Sequence, residues 1–362
     1  MPAPKNHLKA ALAAKIPQFG IWLNLASPYS AELLSGSGFD WLLIDGEHGP
    51  NSIPTMLAQA QTIGGRCNVV VRVPVGEVHL IKQVLDLGIQ TVMVPMIETA
   101  DHAAQMVKAM RYPPEGVRGL GASVARAADF GRVSDYLATA NAETCLLLQV
   151  ESRAGLAALP AILELDGVDG VFIGPSDLAA DMGFPGNTSA PEVLAAIDEA
   201  MRKIIASGKS AGILTFDPAA AARYRDMGVT FIGVGGDIAI LVKGAAALVL
   251  VARLIVHVAD AADRRLFRRA TATSGERRRE QALAAGWDIV VVGGGATGLG
   301  VALIDTLIPL FIGRLVRLME NPDRTAALAD ALPMLAGMAL LILVGRPLAL
   351  LLDSLVRNNA VV

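Results

Sequence analysis

The feature that most constrains this chain is an alternation of short apolar runs with longer Ala- and Leu-rich stretches from Gln18 to about Ala252. The short runs are nearly continuous in Val, Ile and Leu, as is typical of parallel strands that are covered on both faces. The longer stretches have the apolar spacing of helices. The predicted strands are Gln18–Leu23, Trp41–Asp45, Asn68–Arg72, Thr91–Val94, Cys145–Val150, Gly170–Ile173, Ser210–Leu214 and Thr230–Val234.

Strands that alternate with helices in this number favour an α/β fold of the (β/α)8 TIM-barrel type, although a doubly wound sheet would show a similar alternation. The segment Arg111–Thr144 is longer than usual for a connection and contains several glycines, so we predict a loop that covers an active site. Helices are predicted at Ile53–Ile63, Val78–Leu87, Ala100–Met110 and Val193–Ala206.

Charge and cysteine content exclude some classes of protein. A net charge of −3 argues against a nucleic-acid partner, because phosphate binding needs a clustered basic surface. Cys67 and Cys145 have no metal-type spacing, and they predict no disulfide framework. No apolar core follows the lysines of Met1–Lys15, so we predict no signal peptide and a reducing, cytoplasmic location.

Polar residues follow several predicted strands at their carboxyl ends, where TIM barrels carry their chemistry. Glu151 and Asp177 would bring hard oxygen ligands from neighbouring strands, and such a pair suits Mg²⁺ or Mn²⁺. A metal held there would bind a 2-oxo acid through its carboxylate and keto oxygens and would stabilise its enolate. The pattern therefore predicts a metal-dependent enzyme that acts on 2-oxo acids.

Other side chains at the same strand ends complete this hypothesis. His48 is a candidate for proton transfer, and Arg72 for stabilising developing negative charge. The backbone N–H groups of Ser176 and Asp177 would receive a substrate carboxylate at a helix start. Taken singly, Asp177 also fits a helix cap or ion-pair partner, and Arg72 a structural ion pair. No lysine stands at the carboxyl end of a predicted strand, which favours metal catalysis over a Schiff base.

Over about residues 5–255, the chain resembles the HpcH/HpaI aldolase family in five motifs that occur in one order. They are LLIDGEHGPN (Leu42–Asn51), IKQVLDLGIQTVMVPMIET (Ile81–Thr99), YPPEGVRGLGASVARA (Tyr112–Ala127), LLLQVES (Leu146–Ser152) and GVDGVFIGPSDLAADMG (Gly167–Gly183). The resemblance implies a TIM barrel, commonly a hexamer. It also implies an enzyme that uses Mg²⁺, Mn²⁺ or Co²⁺ to cleave 4-hydroxy-2-oxo acids, such as 4-hydroxy-2-oxoheptanedioate, to pyruvate and an aldehyde.

The resemblance further implies a role for each matching residue. Glu151 and Asp177 match the metal ligands, and His48 matches the catalytic histidine. Arg72 matches the arginine that stabilises the enolate. Asp86, which the residues alone mark only as a helix-surface charge, matches the aspartate that orients the histidine. The matching substrate-binding positions are Gln149, Gly174, Pro175 and Ser176.

The chain changes character after the predicted barrel, which we place at residues 1–258. Arginine-rich runs predict a basic linker over residues 259–285. Residues 286–303 resemble the opening of FAD-dependent glycerol-3-phosphate dehydrogenase, and this fragment has fingerprint glycines for a pyrophosphate. No second strand with an acidic end follows, so we do not expect FAD binding. The fingerprint positions are Gly293, Gly295 and Gly298.

Residues 304–362 are dominated by Leu, Ala and Met and are predicted to form an apolar helical segment. Arg346 and Pro347 interrupt the longest uncharged run, which is too short to predict a membrane span. Two alternatives to an aldolase follow: an FAD-dependent oxidoreductase centred on the fingerprint glycines, and a membrane-attached fusion with an impaired barrel. Separately, the appendage is a candidate for disturbing the hexamer that the resemblance implies.

Overall fold

Eight parallel strands close into a barrel in the computed structural model of this chain, which describes residues 1–253. The strands follow one another around the barrel in chain order, and the last strand pairs with the first. Because the sheet closes and leaves no free edge, the fold is a TIM barrel and not a doubly wound sheet. The strands are β1 (Gln18–Leu23), β2 (Trp41–Asp45), β3 (Asn68–Arg72), β4 (Thr91–Val94), β5 (Cys145–Val150), β6 (Gly170–Ile173), β7 (Ser210–Leu214) and β8 (Phe231–Gly236).

The helices begin at residues that favour helix starts. Ser27, Thr99, Ser152 and Asp217 each accept a backbone N–H of the first turn, which satisfies a donor that lacks a partner within the helix. The helices are α1 (His7–Ala13), α2 (Pro28–Ser35), α3 (Ile53–Ile63), α4 (Val78–Asp86), α5 (Ala100–Met110), α6 (Tyr136–Glu143), α7 (Arg153–Leu163), α8 (Pro175–Asp181), α9 (Pro191–Ala206) and α10 (Pro218–Met227). Residues 237–253 are also helical.

The last predicted strand and the predicted loop differ most from the structure. The strand was predicted at Thr230–Val234 but runs over Phe231–Gly236, because Gly236 still pairs with Trp22 of β1. Consecutive glycines give no apolar pattern from which this extension could be read. The predicted loop Arg111–Thr144 contains helix α6 and a short 3-10 helix, so it is irregular only in part.

The amino end of the barrel is filled by large side chains. Trp41 stacks on Phe231 with ring centroids 4.0 Å apart, and Trp22 meets Trp41 edge-on. Leu8 and Leu12 of α1 belong to the same buried cluster and close this end. Because the barrel is plugged here, the chemistry is left to the opposite end, where the strands finish.

The chain divides into two units, Met1–Val242 and Lys243–Val362. Among residues 1–253, no helix combines the length and the apolar character needed to cross a membrane. The predicted linker, the dinucleotide-binding-like fragment and the apolar C-terminal segment lie outside the described residues.

Candidate active site

Asp45 and Arg72 form a buried bidentate ion pair at the carboxyl ends of β2 and β3. They are register partners in the parallel ladder. Arg72 donates from Nε to Asp45 Oδ1 (2.9 Å) and from Nη2 to Asp45 Oδ2 (2.7 Å). Burial raises the pKa of Asp45, but the hydrogen bonds and charge of Arg72 outweigh it and hold this pKa below its usual value. The carboxylate therefore stays ionised.

The third nitrogen of Arg72 points to other residues of the site. Its Nη1 lies 2.8 Å from Glu47 Oε2 and 3.4 Å from Gln149 Oε1. Burial lowers the pKa of Arg72, yet its acidic neighbours, led by Asp45, raise it overall. Arg72 is thus the structural ion-pair partner that the sequence left open, and it also holds a positive charge toward the site.

The turn that carries His48 is built on the same carboxylate. Asp45 Oδ1 accepts the backbone N–H groups of Glu47 (3.1 Å) and His48 (3.3 Å). Asn51 closes the turn by donating from Nδ2 to the Asp45 carbonyl (2.8 Å). Gly49 is required there, because a Cβ at this position would lie 2.6 Å from that carbonyl oxygen. The result is a His48 side chain that is 64% exposed, with Nε2 3.7 Å from Glu47 Oε2.

Glu151 is a buried carboxylate that follows β5. Its Oε1 accepts the backbone N–H of Met96 (3.0 Å), and Gln149 Nε2 donates to its Oε2. Burial raises the pKa of Glu151, these hydrogen bonds lower it, and the negative charges of Asp177 and Glu47 raise it again. The pKa of Glu151 lies above its usual value overall, because burial and the neighbouring negative charges outweigh the two hydrogen bonds.

Asp177 lies in the first turn of α8, directly after β6, and its side chain is exposed. The helix cap is Gly174 and not Asp177. The charge of Asp177 raises the pKa of both Glu151 and Glu47, so these three carboxylates share one electrostatic environment. Within residues 1–253 Asp177 makes no ion pair.

The donor set fits a hydrated divalent cation. No group of three or more His, Cys, Asp or Glu side chains in the described part of the chain is arranged to hold a metal. A closed structural zinc site is therefore not formed by these residues. Mg²⁺ commonly takes one or two carboxylates and keeps several water or substrate ligands. Glu151 and Asp177 are the carboxylates predicted for this role, and a cation beside them would offset the repulsion that raises the pKa of Glu151.

The predicted substrate positions lie beside these carboxylates. Gly174, Pro175 and Ser176 stand at the start of α8, and a Cβ at Gly174 would overlap the Glu151 carboxylate. Gln149 is buried between Arg72 and Glu151. The fingerprint glycines Gly293, Gly295 and Gly298 lie outside the described residues.

Within the described residues, Asp86 makes no hydrogen bond or ion pair with His48. Its carboxylate accepts instead from Arg118 Nη2 (2.9 Å), an arginine that is almost fully buried beside the Tyr112 ring. The carboxylate near His48 in this chain is Glu47. Glu47 and Asp45 had no predicted role, although both stand in the DGEH motif that carries the histidine.

Comparisons with known proteins identify the family of this barrel. Residues 18–243 match the family model described as HpcH/HpaI aldolase/citrate lyase. A hydroxypyruvate/pyruvate aldolase of Roseovarius nubinhibens is 52% identical over 246 residues, which are 68% of this chain and 96% of the relative. A 4-hydroxy-2-oxo-heptane-1,7-dioate aldolase of Shigella boydii is 52% identical over 67% of this chain and 94% of its own length.

Solved structures give the same result. A family member from Burkholderia cenocepacia is 39% identical, with a TM-score of 0.67, and the match covers 69% of this chain and all of that one. A HpcH/HpaI aldolase from Desulfitobacterium hafniense is 27% identical, with a TM-score of 0.64 over 68% of this chain and 96% of that one. The barrel is thus the fold of a known group of proteins.

Proposed function

Because the chain belongs to the HpcH/HpaI aldolase/citrate lyase family, we propose that it is a divalent-metal-dependent pyruvate aldolase. It cleaves a 4-hydroxy-2-oxo acid reversibly to pyruvate and an aldehyde. The observation that carries the proposal is the buried Glu151 carboxylate, whose pKa is raised by burial and by Asp177, close to the fixed guanidinium of Arg72. This arrangement offers a cation site next to a positive charge at one end of the barrel.

Glu151 and Asp177 would hold the cation, which as a Lewis acid would stabilise the enolate of the 2-oxo acid. Arg72 would stabilise the same developing charge with its guanidinium, which Asp45 fixes through Nε and Nη2. The N–H groups at the start of α8 would receive the substrate carboxylate. Gln149 would hold both Arg72 and Glu151 in orientation.

His48 would move the proton of the aldol hydroxyl. Its exposed ring can exchange protons with solvent, and Glu47 lies beside it. Asp86 would contribute to this step only if another arrangement brought it to the histidine, because within the described residues it binds Arg118.

Pyruvate release from 4-hydroxy-2-oxoheptanedioate tests the proposal. We expect pyruvate release to stop with EDTA and to return with a divalent cation. Adding Mg²⁺, Mn²⁺ and Co²⁺ separately would show which of them restores the activity. Glu151→Gln and Asp177→Asn should lose activity, whereas Glu143→Gln, which removes a carboxylate before the amino end of β5, should retain it. Full activity in Glu151→Gln, or in metal-free protein, would overturn the proposal. The names of the relatives make hydroxypyruvate a second donor to test.

Assembly and domain limits are part of the same proposal. We expect a homo-oligomer, with hexamers as the family precedent, and a cytoplasmic location. Residues 1–258 should carry the activity alone, and gel filtration of this fragment and of the full chain would show whether the C-terminal segment alters assembly. The FAD-dependent and membrane-attached alternatives gain no support from the comparisons, whose family match ends at residue 243.

A further inference from the structure

Asn24 is an uncharged residue that contacts the Asp45–Arg72 pair from a third strand. It directly follows β1, and its Nδ2 donates to Asp45 Oδ2 (2.7 Å). The same oxygen accepts from Arg72 Nη2. Neither the sequence patterns nor the family resemblance singled out Asn24.

Asp237 holds the backbone of Asn24 from the end of β8, the strand that pairs with β1 to close the barrel. This buried residue directly follows β8, and its Oδ1 accepts the backbone N–H of Asn24 (2.9 Å). Its Oδ2 accepts the backbone N–H of Leu25 (3.2 Å), and Oδ1 also accepts that of Ile238 (2.8 Å). The segment after β1 is therefore tied to the end of β8.

These contacts connect the ends of four consecutive strands around the barrel, from β8 through β1 and β2 to β3. Asp237 holds the backbone of Asn24, whose amide holds Asp45, and Asp45 holds the Arg72 guanidinium. Asp45 also accepts the backbone N–H groups of the turn that carries His48. One carboxylate thus orients both groups that the proposed reaction needs outside the metal site.

We propose that Asn24, anchored by Asp237, is a positioning residue that sets the orientation of the Arg72 guanidinium and the His48 turn through Asp45. The inference rests on the proposed function for its consequence in catalysis. Its geometric part does not, because the Asp45–Arg72 contacts can be measured without turnover. Without the Asn24 donor, Asp45 Oδ2 would keep only Arg72 as a donor, so the orientation of the buried carboxylate would be less restricted.

Asn24→Asp is the most informative substitution, because it keeps the size of the side chain and replaces its donor by an acceptor. The charged groups that face position 24 are Asp45 directly, Arg72 beyond it, and Asp237 at the backbone. An ionised carboxylate at position 24 would repel Asp45, whereas a protonated one would donate to it as asparagine does. Asn24→Ala removes the donor without adding a charge.

Asn68→Asp is the matched control. Asn68 stands at the amino end of β3, and its Nδ2 donates to the Asp40 carbonyl (2.7 Å). This substitution also replaces a part-buried amide donor by an acceptor in the same barrel, but at the end without the candidate site.

The experiment compares these variants in kcat, KM for the 4-hydroxy-2-oxo acid, Mn²⁺ affinity and thermal unfolding, and determines crystal structures of both aspartate variants. We expect kcat of Asn24→Asp to fall by about ten- to hundredfold, with Mn²⁺ affinity unchanged. Because partial burial and the charge of Asp45 would raise the pKa of a carboxyl at position 24, the activity of Asn24→Asp relative to the original protein should partly recover as the pH falls from about 8 to about 5. Asn24→Ala should show no such recovery. The Arg72–Asp45 distances should lengthen in Asn24→Asp and stay as they are in Asn68→Asp.

Equal kcat in Asn24→Asp and Asn68→Asp, or intact Arg72–Asp45 contacts in the Asn24→Asp crystal, would overturn the inference. Absence of pyruvate release from the original protein with every metal would instead overturn the proposed function. In that case the crystal structures would still decide whether Asn24 positions Arg72.

Discussion

Met96 donates its backbone N–H to the Glu151 carboxylate (3.0 Å) from a left-handed backbone conformation with φ of +54°. Such a conformation costs a non-glycine residue roughly 1–2 kcal/mol. The Met96 side chain is half exposed, so its own burial does little to offset this cost. The contact with Glu151 therefore links backbone strain after β4 to the orientation of a proposed metal ligand.

Met96→Val should weaken metal binding as well as stability. A β-branched residue at positive φ is a strong outlier, so we expect a loss of about 1–3 kcal/mol in the free energy of unfolding and a lower Mn²⁺ affinity. Met96→Gly keeps the N–H and removes the strain, so it should retain Mn²⁺ affinity. Phe130→Val, at a φ of +57° away from Glu151, should lose stability only. Isothermal titration with Mn²⁺ and chemical denaturation would check this, and equal Mn²⁺ affinity in Met96→Val and Phe130→Val would contradict it.

Glu151→Gln should stabilise the metal-free protein while it abolishes metal binding. Burial and the neighbouring carboxylates raise the pKa of Glu151, which means that its ionised form is unfavourable in the folded state. Removing the charge should therefore raise the metal-free free energy of unfolding at pH 8. Urea unfolding of both proteins in EDTA would measure this difference.

Glu143→Gln provides the contrast for that measurement. Burial raises the pKa of Glu143, but the hydrogen bond and charge of Lys5 lower it overall, so its ionised form is favourable. We expect this variant to lose stability under the same conditions. A loss of stability in metal-free Glu151→Gln as large as that in Glu143→Gln would show that the site does not carry excess negative charge.

The sequence could predict the strands because each is an apolar run with clear ends, and seven of the eight predicted ranges coincide with the structure. It could also predict that Arg72, Glu151 and Asp177 stand at strand ends. The sequence could not predict the bidentate Asp45–Arg72 pair, because this pair depends on the register between β2 and β3. The contact of Asn24 with Asp45 likewise depends on the register between β1 and β2, and no local pattern marks it.

The partner of Asp86 could not be predicted from the sequence for a different reason. The resemblance supplied a role for this residue but no partner in space, and Arg118 lies 32 residues away in an irregular segment. The burial of Arg118 against an aromatic ring has no periodic signature in the sequence. A polar residue in a glycine-rich segment reads as exposed, whereas Arg118 is among the most buried side chains of the described residues.

Asp45→Asn should cost about 3–5 kcal/mol of unfolding free energy near neutral pH, because it removes the bidentate carboxylate from buried Arg72, which keeps only Glu47 as an ion-pair partner. The folded-state pKa of Asp45 lies below its usual value. The stabilisation is therefore fully present above the unfolded pKa of about 3.9 and is lost as the pH falls through the lower folded pKa. Urea unfolding of both proteins from pH 7 down to about pH 3 would measure the closing gap.

Asp166→Asn is the exposed counterpart of that change. Asp166 pairs with Arg111 (3.1 Å) but is almost fully solvent-exposed, so its removal should cost less than about 1 kcal/mol. Similar losses in Asp45→Asn and Asp166→Asn at neutral pH would contradict the assignment of Asp45–Arg72 as a buried, stabilising pair.

The Asp86–Arg118 pair should behave as a coupled structural unit. Arg118 is buried against Tyr112, with its guanidinium carbon 4.3 Å from the ring centroid, and Asp86 is its anionic partner. We expect Asp86→Asn and Arg118→Gln each to lower the free energy of unfolding, with a coupling of about 1–3 kcal/mol in the double-mutant cycle. Tyr112→Phe is the control, because the Tyr112 hydroxyl has no hydrogen-bond partner within the described residues.

Denaturation of these variants would measure the coupling, and purely additive losses would contradict it. Measuring kcat on the same folded variants separates this structural role from the one that the resemblance implies. If Asp86 also orients His48, kcat should fall in Asp86→Asn by far more than in Arg118→Gln, and the pH–rate profile attributed to the histidine should shift. Equal kcat values in the two variants would leave Asp86 as the partner of Arg118 alone, with Glu47 as the carboxylate that accompanies His48.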